Sequence, residues 1–505
     1  MRILLVPLDD RPVNVTLPAM VAAVAGARCV APPAALLGRA REPADPDALT
    51  DWVRDEAGAA DAVVACLDTL AYGGLIASRT SGHPTADALG RWSVLADLRR
   101  ERPELPVLAV STVLRASDSY HGAEEPDYWP RYGRELHALG GALHRRYAGH
   151  DGTRLAELRA AVPDEVRRDF LTRRLRNHAA NLDAVRLAAT GVLSTLLVTS
   201  DDTAEWAAGT LEEGWLRHWI DALGADDRVH VHPGADEVGS VLVARAVLGA
   251  AGLAPTVRVH CPVPGADRVA PYENVPVSVT AARQVRAAGG TVVTAGDADV
   301  HLVLHPPAPG GPGWHSDFRP DPDPAAVGPV AALAARLVRD GRLVAVADTR
   351  YANGADPVLL DALTAAADPY DLAAYAGWNT AGNTIGTAVA HALARYAGRT
   401  TGRGDEDAHR RLVAHRLLED GGYQAGVRGR LERRLGGADV ARLDGGTLAD
   451  AESWLADALG EHLAAAPWGR GLRIAPGTVR LPWRRTFEVD FALGPADGGW
   501  PVVPR

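Results

Sequence analysis

Residues 3–14 read ILLVPLDDRPVN, a six-residue apolar run from Ile3 to Leu8 that breaks at once into Asp9, Asp10, Arg11 and Asn14. A short, wholly apolar run that stops at a polar cluster is the pattern of a strand buried on both faces, with its loop opening at the C-terminal end. The same pattern returns at 62–67, 107–112, 196–200, 229–232, 257–261, 300–304, 343–347 and 372–375. Stretches with helical spacing lie between these runs, so the chain alternates β and α. The expected fold is α/β, either (β/α)8-barrel-like or a largely parallel sheet. Nine strands, or ten counting 29–31, suit both.

Helical spacing is dense over about 130–193, which reads as a helical insertion after the 107–112 strand, and it returns from 394 to 463. The predicted organisation is an α/β catalytic domain over 1–393 and a C-terminal helical region over 394–505 with a strand-like tail at 480–493. The proline- and glycine-rich segment 306–324 reads as a surface loop, with Trp314, His315 and Arg319 as the residues that would suit a lid.

Composition narrows the chemistry. A formal net charge of -10 argues against nucleic acid or an anionic membrane as partner, because both need a basic face. No lysine occurs among the 53 basic residues, which excludes a Schiff-base lysine, a pyridoxal-phosphate anchor and a Walker lysine. No cofactor is expected. Cys29, Cys66 and Cys261 have no CxxC spacing and read as inert thiols. The N-terminus meets Asp9 and Asp10 too early for a signal peptide, and no apolar run is long enough to span a bilayer, so the expected location is cytoplasmic.

Parallel α/β folds gather functional side chains beyond the C-terminal ends of their strands. Asp9, Asp10, Arg11 and Asn14 follow the first run; Asp68, Tyr72 and Arg79 follow 62–67; Arg115 follows 107–112. Asp201 and Asp202 follow 196–200, and Asp236 and Glu237 follow 229–232. Arg350, Asn353 and Asp356 follow 343–347, while Trp378, Asn379 and Asn383 follow 372–375. Each cluster alone has a structural reading as a helix cap or a turn. Together, acids, amides, arginines and aromatic rings are what a polyhydroxylated ligand requires.

The segment HPGADEV at 232–238 resembles the His-x-Gly-Gly-Asp-Glu motif of β-N-acetylhexosaminidases, with Ala235 in place of the second glycine. The resemblance implies that Glu237 protonates the leaving oxygen and that Asp236 steadies an acetamido group. As a set, LDDRPVN (8–14), YGGL (72–75), DDT (201–203), GADEV (234–238), NGAD (353–356) and GWNTAGNTIG (377–386) resemble a bacterial family known as domain of unknown function 4127, which brings no established activity.

The expected function is a glycoside hydrolase acting on a small saccharide, an N-acetylhexosaminide among the candidates. Glu237 is expected as its general acid, with Asp236 or one of the Asp201 and Asp202 carboxylates as the partner, and the remaining rim residues named above bind substrate. Two alternatives stay open. One is a metal-assisted hydrolase or lyase of a polar small molecule, using Asp9, Asp10, Asp201, Asp202 and His232, although no HExxH motif occurs. The other is a non-catalytic sugar-binding protein.

Overall fold

The computed structural model describes residues 1–315, 318, 320–436 and 443–496; Arg319 of the proline-rich loop lies outside them. The chain forms two compact units, each returning to the other's sequence more than once. Unit 1 comprises Met1–Asp10, Arg28–Leu242 and Tyr272–Val275, and unit 2 comprises Arg11–Ala27, Val243–Pro271 and Pro276–Arg505.

Unit 1 is built on strands β1 (Arg2–Val6), β2 (Arg28–Val30), β3 (Ala62–Cys66), β4 (Val107–Val113), β5 (Thr195–Ser200) and β6 (Val229–Pro233). They form one parallel sheet in the order β2-β1-β3-β4-β5-β6. Every residue of β3, β4 and β5 is buried, which is why these strands read as unbroken apolar runs. Between β4 and β5 come helices Trp129–Tyr147, Thr153–Ala161 and Asp164–Ala189. The last of these buries Ala184, Val185 and Leu187 in the same core as Val107, Ala109 and Val198.

Unit 2 is built on β7 (Thr256–His260), β8 (Thr291–Val292), β9 (Val300–His305), β10 (Leu343–Asp348) and β11 (Ala374–Ala376), a second parallel sheet in the order β11-β10-β9-β7-β8. Neither sheet closes on itself, so of the two arrangements the sequence allowed, the parallel sheet is the one formed and the barrel is not. The two-residue β8 was not expected; it is too short to show a pattern.

The units do not follow the boundary expected at 393. Val413, Leu418, Leu455 and Leu459 from the later helices pack in one core with Val303, Val344 and Val346 of β9 and β10. The tail at 480–493 is also not the continuous strand expected there. Pro482 opens a short 3-10 turn over Pro482–Arg484, Trp483 and Arg484 take left-handed backbone, and pairing is confined to an Arg480–Asp490 bridge and the short antiparallel pair β12 (Leu472–Ile474) and β13 (Leu493–Pro495).

Candidate active site

In unit 1 the sheet order reverses between β1 and β3, and in open α/β sheets the crevice beyond the strand ends at such a reversal is where ligands sit. Asp9 and Asp10 follow β1, and Asp68 follows β3. Asp68 is buried and accepts a hydrogen bond from the Thr112 backbone N–H on β4 at 2.9 Å. Burial pushes its carboxyl up to about 6, with the Thr112 N–H and the Arg79 charge pulling the other way.

Farther along the same rim, two arginines and four carboxylates interlock. Arg79 pairs with Asp201 and approaches Glu124 at 3.5 Å and Glu125 at 3.8 Å. Arg115 donates to Glu125 at 2.6 Å, to Glu124 at 2.9 Å and to Asp202 at 3.1 Å, and the same Nη1 lies 3.9 Å from Asp201. Two guanidinium groups thus face four acids. Ionising the whole set would leave excess negative charge in a poorly hydrated place, and the group that gives way is Asp202, raised to about 7 by burial first and by the neighbouring Asp201 charge second. Asp202 also holds left-handed backbone (φ 38°), a conformation that asparagine and aspartate tolerate better than most residues. The loop at 272–275 reaches the same region: the Thr203 N–H donates to the Tyr272 carbonyl at 2.9 Å, and the Asp202 charge contributes to raising the Tyr272 phenol.

After β6 the carboxylate of Glu237 is fully enclosed, 3.6 Å from His232 Nδ1. Gly234 makes this possible. Its φ of 121° belongs to glycine, and a Cβ there would run into the Glu237 carboxylate. Glu237 is therefore an enclosed group behind the loop, whereas the Asp202 side chain keeps a quarter of its surface open.

Unit 2 carries a separate polar network at the ends of β9, β10 and β11. His305 Nε2 meets Asp356 at 3.0 Å; Asp348 accepts from the Asp356 N–H at 2.7 Å and from the Tyr375 hydroxyl at 3.0 Å. Asp420 accepts from the Gly377 N–H at 2.7 Å and lies 3.4 Å from Arg416. Burial raises Asp348 and Asp420, each to about 6. Asp420 arrives on an uncommon element, a π-helix over Leu417–Val427, a geometry found preferentially at functional positions. Asn353 and Asn379 both take left-handed backbone, and the Asn353 N–H donates to the Asn379 carbonyl at 2.8 Å, fastening the β10 and β11 loops together.

The family described as "Protein of unknown function (DUF4127)" matches residues 3–492. The chain belongs to that family. No match was found among curated proteins, and none among solved structures, so the likeness of 232–238 to the hexosaminidase motif has no relative behind it.

In this DUF4127 chain the expected site residues divide by unit. Asp9, Asp10, Asp68, Tyr72, Arg79, Arg115, Asp201, Asp202, Asp236 and Glu237 belong to unit 1; Arg11, Asn14, Arg350, Asn353, Asp356, Trp378, Asn379 and Asn383 belong to unit 2. Arg79, Arg115, Asp201 and Asp202 are brought into one ion-pair cluster. Other members point to local partners: Asp10 faces Arg39 at 3.9 Å, Arg350 pairs with Asp323 at 2.7 Å, the Arg176 guanidinium stacks on the Tyr72 ring, and Asp356 caps helix Pro357–Ala366 by accepting from the Val358 N–H. Arg11 packs on Trp483 and lies 3.8 Å from Glu488, Trp378 donates to the Thr387 hydroxyl, and Asn383 donates to the Thr380 hydroxyl. The sequence reading missed Glu124 and Glu125, which lie far from any apolar run, as well as His305, Tyr375, Arg416 and Asp420. A pair of adjacent glutamates with two unmatched arginines nearby was the available signal. Among the described residues, no group of three or more His, Cys, Asp or Glu side chains is arranged to hold a metal ion, and no helix is long and apolar enough to cross a membrane. None of the three cysteines is in a disulfide; burial pushes the Cys29 thiol up to about 12 and Cys66 higher still, which keeps both unreactive.

Proposed function

We propose that this DUF4127 protein is a hydrolase of polyhydroxylated small molecules, a glycoside hydrolase in its chemistry, with Asp202 as general acid and Asp201 as its charged partner. The carrying observation is the ion-pair cluster itself: Asp201 is paired with Arg79, and Asp202 stands beside it 3.1 Å from Arg115, where burial and the Asp201 charge raise its carboxyl to about 7. An acid that keeps its proton beside a second carboxyl group is the requirement for acid-assisted cleavage of a glycosidic bond. Asp202 holds a proton near neutral pH and can release it to a leaving oxygen. Asp201, held by Arg79 and Arg115, can stabilise positive charge on the sugar or attack it. Arg115, Tyr272 and Asp68 supply donors and acceptors for hydroxyl groups.

A panel of chromogenic aryl glycosides, including N-acetylhexosaminides, tests the reading. Cleavage of at least one is expected, with kcat falling about 10²–10⁴-fold in Asp202→Asn. Because Asp202 must be protonated to act, wild-type turnover should decline as pH rises through about 7, and that decline should be absent from the residual activity of the variant. No cleavage by the wild type, or full activity in Asp202→Asn, contradicts it. Retention of a saccharide without turnover would instead leave a sugar-binding protein.

A further inference from the structure

The loop at 272–275 inverts the usual solvation preference. Glu273 is buried, 3% exposed, while Tyr272 beside it is 49% exposed. Tyr272 also holds left-handed backbone (φ 67°), where a Cβ crowds the neighbouring carbonyl and a bulky side chain is rarely found. That conformation is imposed by the loop's attachments. The Tyr272 carbonyl accepts from the Thr203 N–H at 2.9 Å. Two residues on, the Asn274 amide donates to Glu213 at 3.1 Å, to the same carboxylate oxygen that the Ser200 hydroxyl reaches at 3.0 Å. Ser200 ends β5 and Thr203 follows Asp202, so the loop is fastened on both sides of the Asp201–Asp202 pair. A half-exposed ring on strained backbone adds little to the fold that holds it, and such outliers collect where ligands are gripped.

We propose that the Tyr272 ring is the platform on which one face of a hexopyranose ring lies beside Asp202, so that the ligand is a pyranoside presenting an apolar C–H face. A sugar ring carries its hydroxyls at the rim and C–H bonds on its faces. The face packs on an aromatic surface, and the rim is left for carboxylates and guanidinium groups. The Asp202 charge reaches the Tyr272 phenol, so ring and acid share one neighbourhood. The inference rests on the carbohydrate reading of the carboxylate centre but not on its hydrolytic step, because a platform serves a bound sugar whether or not the sugar is cleaved.

Saturation-transfer NMR of the full chain with the methyl thioglycosides of glucose, galactose, mannose and N-acetylglucosamine, which resist acid-assisted cleavage, tests it. At least one is expected to bind, with saturation strongest on the protons of one ring face. Kd should stay within about threefold in Tyr272→Phe, which keeps the ring, and rise about tenfold or more in Tyr272→Gly. Glycine adopts this backbone without strain, so Tyr272→Gly should unfold in urea at an unchanged or higher midpoint, the opposite of what loss of a structural tyrosine does. Binding of none of the four sugars overturns the proposal, as does saturation spread evenly over both faces. So does a Tyr272→Gly chain that binds as the wild type does or unfolds at a lower midpoint, and so does an equal loss in Tyr272→Phe and Tyr272→Gly. None of these measurements needs turnover. Face-selective binding with no aryl glycoside cleaved would remove the hydrolase and leave the platform, whereas cleavage with an unchanged KM in Tyr272→Gly would remove the platform and leave the hydrolase.

Discussion

Asp202 combines left-handed backbone, partial burial and a contact to Arg115 at 3.1 Å, and each bears on what can replace it. Asparagine tolerates the same backbone and can still accept from the guanidinium, so Asp202→Asn removes the titration with little change of shape. The consequence for stability has a definite sign. A carboxyl raised from 3.8 to about 7 binds its proton more tightly in the folded chain than in the unfolded one. Its contribution is therefore complete below about pH 4 and is lost as pH rises through about 7. Asp202→Asn should match the wild type at pH 4 and be more stable at pH 8, by up to about 4 kcal/mol, as read from urea unfolding midpoints at the two pH values. Equal stability at pH 8 would mean that no proton is held there. Individual residues were the least legible part of this chain. Asp201 and Asp202 were visible because they end an apolar run, but Glu124 and Glu125 come from a loop of 15 residues beyond Val113 and before helix Trp129–Tyr147 that carries no periodic signal.

Elements were read well wherever burial is two-sided. The run at 107–112 became β4, seven residues long and wholly buried, because nothing but apolar and small side chains fits between helices on both faces. Where an element depends on local backbone, the sequence misled: 480–493 reads as strand-like, and Pro482 with the left-handed Trp483 and Arg484 bends it away. The π-helix at Leu417–Val427 had no sequence signature beyond its glycines, yet it sets Asp420 against the Gly377 N–H, joining the later helices to the β11 loop. Replacing Asp420 by alanine would strand that N–H and leave Arg416 facing no carboxylate from this position. A loss of about 3–5 kcal/mol is expected, measured by denaturant unfolding, with Asp420→Asn losing less because it can still accept from Gly377. An Asp420→Ala loss under 1 kcal/mol would show that the π-helix does not fasten the loop.

At the scale of the molecule, one α/β domain with a helical appendage was expected and two compact units are found, each with its own sheet and core. Periodicity marks where strands lie along the chain but not which strands share a sheet. The separation after β6 and the return of 272–275 to unit 1 depend on contacts between residues far apart in sequence. The proposed chemistry now rests on the six-stranded sheet alone: its β1/β3 reversal, the Arg79 and Arg115 pairings, and one carboxyl that keeps its proton near neutral pH. That proton can be observed directly by titrating the full chain with ¹³C-labelled aspartate and assigning the Asp202 carboxyl by its loss in Asp202→Asn. A midpoint near 7 is predicted, and a midpoint in the ordinary aspartate range, near 4, would contradict the assignment of Asp202 as the acid.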